Sequence, residues 1–197
     1  MTDTLLSFSS GFDSTAVAYD YLKRNPDKTL LLHHIKLKNW EGRLDYEYAA
    51  VQKILRWFKA NGLNNYEYLE SSFDYGTIRA IIKDYKVWSF FQGTILFHRK
   101  NINYVLMGSH AASHFGQPET EGEKARIRMV HYVANRKNIE FIYPLIKNTK
   151  ADTLRMMPKE LRDLCWYCRK PKNGRVCGTC ATCKTVNIAY EQLRGKA

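Results

Sequence analysis

Short apolar runs and stretches of helical spacing alternate along this chain. The first run opens at Leu5-Leu6, breaks at Ser7-Phe8-Ser9-Ser10-Gly11-Phe12-Asp13-Ser14-Thr15 and resumes at helical spacing through Ala16, Val17, Ala18, Tyr19, Tyr21 and Leu22. That pattern predicts strand, tight loop, helix. Thr29–Leu37 is the second predicted strand, apolar enough at Leu30, Leu31, Leu32, Ile35 and Leu37 for burial on both faces. Its His33 and His34 point to opposite faces, so one is expected to pack and the other to sit at a strand end. Arg43–Lys59 reads as a helix, with Tyr46, Ala49, Ala50, Lys53, Ile54 and Trp57 at its period and Gly62 as its stop. Tyr66–Leu69 reads as a third strand. Tyr75–Tyr85 and Ser89–Arg99 read as helices interrupted around Val87-Trp88. Tyr104–Met107 is a fourth strand ending in Gly108, Glu119–Lys137 a polar helix, and Ile139–Tyr143 a short strand before Pro144. Thr149–Met157 is a helix capped by Thr149, with Asp152 three residues on.

Strands alternating with helices predict an α/β fold, a parallel sheet flanked by helices on both faces. Such sheets bind ligands at the carboxyl ends of their strands. The loops Ser9–Asp13, Gly108–Gln117 and Tyr143–Lys150 are therefore expected on one edge, around one site. The boundaries divide the chain into an α/β domain, residues 1–160, and a tail, residues 161–197.

The loop at Ser9–Thr15 opens directly onto a helix N-terminus, where free N–H groups and the helix dipole favour an anion. The hydroxyls of Ser9, Ser10, Ser14 and Thr15 add donors. Asp13 is a carboxylate inside this anion site, a place where it orients a metal or the loop itself. The plainer alternative makes Asp13 or Ser14 only an N-cap. A formal charge of +12 on 197 residues favours anionic ligands without choosing among nucleotides, nucleic acid and phosphates. No apolar run is long enough to span a membrane, and no secretory signal is visible at the start, so a cytoplasmic location is expected.

All five cysteines follow residue 164. Cys168, Cys177, Cys180 and Cys183 have spacings that wrap one tetrahedral Zn²⁺, with Asn173-Gly174 as the intervening turn. Cys165 competes with Cys168 for the first ligand position. An iron–sulfur cluster and a set of unrelated reduced thiols are the alternatives. A tail this short builds little core, so metal is expected to supply its folding energy, in a structural role.

Ser9-Ser10-Gly11-Phe12-Asp13-Ser14-Thr15 resembles the pyrophosphate loop of the ATP pyrophosphatases, S-G-G-x-D-S, with Ser10 in place of a glycine. A serine there crowds the phosphates if the position needs positive φ. Together with the cysteines, the loop resembles the 7-cyano-7-deazaguanine synthase family. Met107-Gly108-Ser109-His110-Ala111-Ala112-Ser113-His114-Phe115-Gly116-Gln117-Pro118-Glu119 is similar to that family's G-x-N-x-x-D-x-x-x-Y-P-D. Tyr143-Pro144-Leu145-Ile146-Lys147-Asn148-Thr149-Lys150 is similar to T-P-L-I-x-x-T-K. Trp166-Tyr167-Cys168 fits W-S-C, which favours Cys168 as the ligand, and Cys177-Gly178-Thr179-Cys180-Ala181-Thr182-Cys183 fits C-G-x-C-x-x-C.

The resemblance implies a Rossmann-like fold of the adenine nucleotide alpha-hydrolase type with a small C-terminal zinc-binding region. It implies an ATP-dependent ligase that turns 7-carboxy-7-deazaguanine and ammonia into 7-cyano-7-deazaguanine, in queuosine synthesis or DNA modification. Ser7, Ser9, Ser10, Gly11, Phe12, Asp13, Ser14 and Thr15 would bind ATP. Asp13 and Lys150 would act on the pyrophosphate, bridged by Mg²⁺. Gly108, Ser109, His110, His114 and Phe115 would hold the substrate, closed by Phe91 and Gln92. The chain departs from the family after the second strand, where D-Y-G-Q-R-H is absent, and at Phe91-Gln92-Gly93-Thr94, which replaces P-G-R-N. Two other functions stay open: a tRNA-thiolating or tRNA-adenylating enzyme, and a nucleotide- or nucleic-acid-binding relative without catalysis. A homodimer and a nucleic-acid partner are compatible with the reading and required by none of it.

Overall fold

A computed structural model describes residues 2–78, 84–109 and 120–195. Its centre is a five-stranded sheet, β1 (Thr4–Ser7), β2 (Leu30–Lys38), β3 (Tyr66–Asp74), β4 (Tyr104–Leu106) and β5 (Glu140–Ile142), in the order β3-β2-β1-β4-β5. Every pairing is parallel. The strand order reverses between β1 and β4, which opens a crevice beyond their carboxyl ends.

Leu6, Leu30, Leu32 and Leu106 face one side, where they pack with α1 (Phe12–Arg24), α2 (Leu44–Ala60), α5 (Lys150–Arg155), α6 (Lys159–Leu164) and α7 (Ala181–Arg194). Leu5, Leu31 and Val105 face the other, against α3 (Asp84–His98) and α4 (Glu121–Ala134). Adjacent strand residues thus serve opposite cores, the two-residue period of a doubly covered sheet. Val186 and Ala189 of α7 are buried in the first of these cores. No helix among the described residues is long and apolar enough to cross a membrane.

Several expectations need correction. β3 runs to Asp74 instead of stopping at Leu69, because every residue of β2 from Leu30 to Lys38 has a partner on it. Lys36–Glu70 and Lys38–Asp74 ion pairs, at 2.7 and 2.9 Å, hold this polar extension. The helix expected over Tyr75–Tyr85 is reduced to a 3-10 turn at Gly76–Ile78 before the undescribed 79–83, and Tyr75 is fully buried. α3 passes through Val87-Trp88 without a break. α4 is shorter than expected, because Thr120 caps its start and left-handed Asn135 ends it. The Thr149–Asp152 capping box forms as expected, whereas α6 was not foreseen. His33 and His34 are both buried within the strand, not one at an end. His33 Nε2 lies 2.9 Å from Ser71 Oγ, and His34 Nδ1 2.9 Å from the Phe8 carbonyl.

Candidate active site

β1 ends at Ser7, and the chain turns through Ser10, whose φ of 60° is left-handed. Gly11 is the N-cap of α1, in extended conformation and without a side-chain capping bond. The helix starts at Phe12, so Asp13 and Ser14 lie in its first turn and neither is the cap. Ser14 Oγ donates to the Gly11 carbonyl and accepts from the Ser9 N–H, both at 3.2 Å. The hydroxyls of Ser9 and Ser14 are 3.3 Å apart. These bonds close the loop around the first-turn N–H groups, which have no intrahelical partner. Phe12 and Thr15 are buried, and Ser10 is fully buried with its hydroxyl unpartnered.

Lys150 is the first residue of α5, yet its Nζ reaches Asp13 Oδ1 at 2.6 Å. A cation at a helix N-terminus is unfavourable by itself, and Asp13 supplies the compensating charge. From the far side of the crevice, β4 leads into Gly108. A Cβ there would stand 3.4 Å from Asp13 Cβ and from the Ser14 nitrogen, so the two loops touch.

The cleft beside the loop has two lobes. One is lined by Ser7, Ser9, Gly11, Asp13, Ser14, Leu106, Gly108, Ser109, Trp88 and Arg126. The other shares Ser9, Gly11, Asp13 and Trp88 and adds Lys150, Arg43, Trp166, Tyr167 and Arg169, among others. Gln92 is fully buried, and its Nε2 donates to Ser7 Oγ at 2.9 Å. It braces the end of β1, and its Oε1 has no hydrogen-bond partner among the described residues. Phe91 packs on the rings of His33 and Phe73, at 5.7 and 6.2 Å between centroids. Trp88, one turn earlier, lines both lobes. His110, His114 and Phe115 lie outside the described residues.

A charge cluster that the sequence reading missed borders the second lobe. Buried Arg43 bonds to Glu41, Glu47 and Asp84. Arg169 bonds to Glu41 at 2.8 and 3.0 Å and lies 3.0 Å from Asp84. Burial, with Asp84 close by, pushes the Glu47 carboxyl up to about 7 despite Arg43. The i,i+4 spacing of Arg43 and Glu47 was the one local signal; the partners Asp84 and Arg169 are distant in sequence and left none.

In the tail, Cys168, Cys177, Cys180 and Cys183 have sulfurs within 4.8 Å of one another. Cys177 and Cys183 sulfurs are 3.9 Å apart. A tetrahedral zinc with Zn–S bonds of about 2.3 Å requires sulfur separations of about 3.8 Å. The Cys177 N–H points to the Cys168 sulfur and the Cys180 N–H to the Cys177 sulfur, at 3.2 and 3.3 Å. Both bonds favour thiolates, so the donor set fits a thiophilic metal. Cys165 is not in the group: its Sγ meets the Leu161 carbonyl, and burial pushes its thiol up to about 12.

The sequence model for "Queuosine biosynthesis protein QueC" matches residues 89–194. A search of curated proteins matches none. Among solved structures, a predicted tRNA methyltransferase subunit from Methanocaldococcus jannaschii is similar at 15% identity, over 79% of this chain and 74% of that one, with a TM-score of 0.44. An NMN synthetase from Francisella tularensis is similar at 12% identity, over 98% of this chain and 86% of that one, with a TM-score of 0.48.

Proposed function

The chain belongs to the QueC family, whose model covers more than half of it, and we propose that it is an ATP-dependent ligase converting 7-carboxy-7-deazaguanine and ammonia to 7-cyano-7-deazaguanine. The observation that carries this reading is the Ser9–Thr15 loop at the β1/β4 crevice, with Lys150 drawn in to Asp13. A helix N-terminus ringed by hydroxyls and one lysine is suited to a polyphosphate.

A carboxylate is a poor acyl donor, and adenylation supplies a leaving group. The substrate carboxylate oxygen attacks the α-phosphorus of ATP, and the bond to pyrophosphate breaks with its electron pair going to the leaving group. Ammonia then displaces AMP to give the amide. A second ATP activates the amide oxygen, and elimination leaves the nitrile. The first-turn amides of α1, Ser9 and Ser14 would hold the phosphates, and Lys150 would take up the charge on the departing pyrophosphate. Asp13, already in the site, fits a Mg²⁺ ligand, and that ion would neutralise phosphate charge when bound. Zinc in the Cys168, Cys177, Cys180 and Cys183 set would be structural. The reading carries a cytoplasmic location, where these thiols stay reduced.

A thiolating reaction needs a reactive thiol beside the nucleotide. Cys165 is the thiol outside the cluster, and it is buried and protonated, which disfavours that alternative. The test is mass spectrometry of the purified protein's products from 7-carboxy-7-deazaguanine, ATP and ammonium. Nitrile or amide with AMP supports the reading; AMP formation stimulated by bulk tRNA and not by the deazapurine overturns it.

A further inference from the structure

The first lobe of the cleft contains a cation that has no close counter-ion among the described residues. Arg126 projects from α4 and lines that lobe beside Ser109, Gly108 and Trp88. Its side chain is 10% exposed. Among the described residues the carboxylate near it is Glu123, 3.9 Å from Nη1, and that carboxylate accepts the Tyr143 hydroxyl at 3.0 Å. Arg126 Nε has no hydrogen-bond partner among the described residues. Arg128, two residues on, makes a comparably long contact to Glu121 but is two-thirds exposed, so water solvates it. For Arg126 no such relief exists. A guanidinium stays ionised in proteins, and burying one without a close counter-ion is costly. Burial also presses its pKa below the usual value. An anion entering the lobe would relieve that cost.

Four cations line the two lobes, and three of them are paired at close range: Lys150 with Asp13, Arg43 with Glu41, Glu47 and Asp84, and Arg169 with Glu41 and Asp84. Lys150, Arg43 and Arg169 line the second lobe and Arg126 the first, and Ser9, Gly11 and Asp13 of the loop line both. The triphosphate has its donors in the loop amides, the serine hydroxyls and Lys150. With those donors on the triphosphate, Arg126 is left for a second anion beside the loop. Trp88 lines both lobes, and an indole is a surface for a planar ring. We infer that Arg126 and Trp88 form the acceptor subsite, in which the indole stacks on a planar heteroaromatic ring and the guanidinium holds its carboxylate beside the loop. The inference rests on the proposed reaction for the identity of that acid. It gives the carboxylate a counter-ion against the like charge of ATP as it approaches phosphorus.

The test is calorimetric titration of wild type, R126Q and R126K with a non-hydrolysable ATP analogue, 7-carboxy-7-deazaguanine and its 7-carboxamide. Wild type is expected to prefer the carboxylate to the carboxamide. R126Q is expected to bind the carboxylate about 30-fold more weakly, with carboxamide and nucleotide affinities held within about twofold. R126K keeps the charge without the planar fork, and is expected to lose about tenfold of the preference. It carries the test if R126Q does not fold, and an unchanged preference in it overturns the assignment. Loss of nucleotide affinity in place of carboxylate affinity also overturns it, moving Arg126 to the phosphates. Wild type that binds nucleotide but no deazapurine refutes the proposed reaction and this subsite together. Wild type that binds both, with R126Q indistinguishable from it, refutes the subsite alone.

Discussion

Ser10 stands at a φ of 60°, fully buried, with its hydroxyl unpartnered. The left-handed conformation costs a residue with a Cβ about 1–2 kcal/mol. Glycine avoids that cost but gives back about 0.5–1 kcal/mol in unfolded-chain entropy. The unpartnered hydroxyl costs about 1–3 kcal/mol, and deleting the buried Cβ forfeits about 0.8 kcal/mol. The balance for Ser10→Gly is a stabilisation of about 2 kcal/mol, which raises Tm by about 6 °C in a chain of this length. Ser10→Ala removes the hydroxyl but keeps the strain and the Cβ, so by the same figures it also gains about 2 kcal/mol and is expected to match Ser10→Gly. The Trp166 N–H bond to the Ser10 carbonyl, 3.1 Å, is a backbone bond available to all three. Calorimetric unfolding without nucleotide gives the order, and nucleotide titration gives the functional arm. A Ser10→Gly protein less stable than wild type would refute the strain argument. Equal losses of ATP affinity in both variants would mean that the hydroxyl is kept for the phosphates, and that the strain is tolerated for that bond.

Asp13→Asn and Ser14→Ala are expected to abolish ATP turnover while circular dichroism stays native; full pyrophosphate release in either would sink the loop assignment. Metal analysis is expected to find one zinc per chain in Cys165→Ser and none in Cys180→Ser, and the reverse pattern would transfer the first ligand to Cys165. Burial, with His34 adding to it, lowers the His33 pKa from 6.5 to about 4, so the folded state binds fewer protons there than the unfolded state. Its stability contribution is present above pH 6.5 and is lost as pH falls from 6.5 to about 4; in His33→Gln the slope of Tm against pH over that window should flatten. A Cβ at Gly93 would lie 2.5 Å from Val133 Cβ, so Gly93→Ala should cost about 1–3 kcal/mol of overpacking, offset by about 1 kcal/mol of helix propensity. A Gly93→Ala protein more stable than wild type would show that α3 and α4 separate freely.

The fold was legible because β1, β2 and β4 carry their own apolar runs, and the loop because strand, hydroxyls and helix start are contiguous. The capping box at Thr149 was legible for the same reason: its two members are three residues apart. What stayed hidden depends on pairing at a distance. The length of β3 is set by β2, and its own sequence beyond Leu69 is too polar to announce a strand. Trp88 read as an interruption because a tryptophan in a mixed segment has no phase until α4 packs on the helix. Gln92 matched a polar position of a substrate segment, yet the tertiary fold spends its amide on Ser7. Arg126 read as one charge in a polar helix, since burial of a single arginine has no local signature.

The tail is built against the loop. Around Cys168, the Trp166 N–H holds the carbonyl of left-handed Ser10. The Tyr167 ring stacks on Phe12 at 5.1 Å, and Trp166 stacks on Tyr46 at 4.8 Å. Arg169 ties the same segment to Glu41 and Asp84. A cysteine of the thiol cluster is thus flanked on both sides by residues that grip the phosphate loop, α2 and α3. Metal bound by the cluster would contribute folding free energy to this short segment, and the segment supports the strained turn at Ser10. The metal therefore needs no contact with ATP to matter for its binding. Its loss would free Cys168, loosen 166–169 and release the Ser10 carbonyl, so that the loop must pay its ordering entropy when the nucleotide binds.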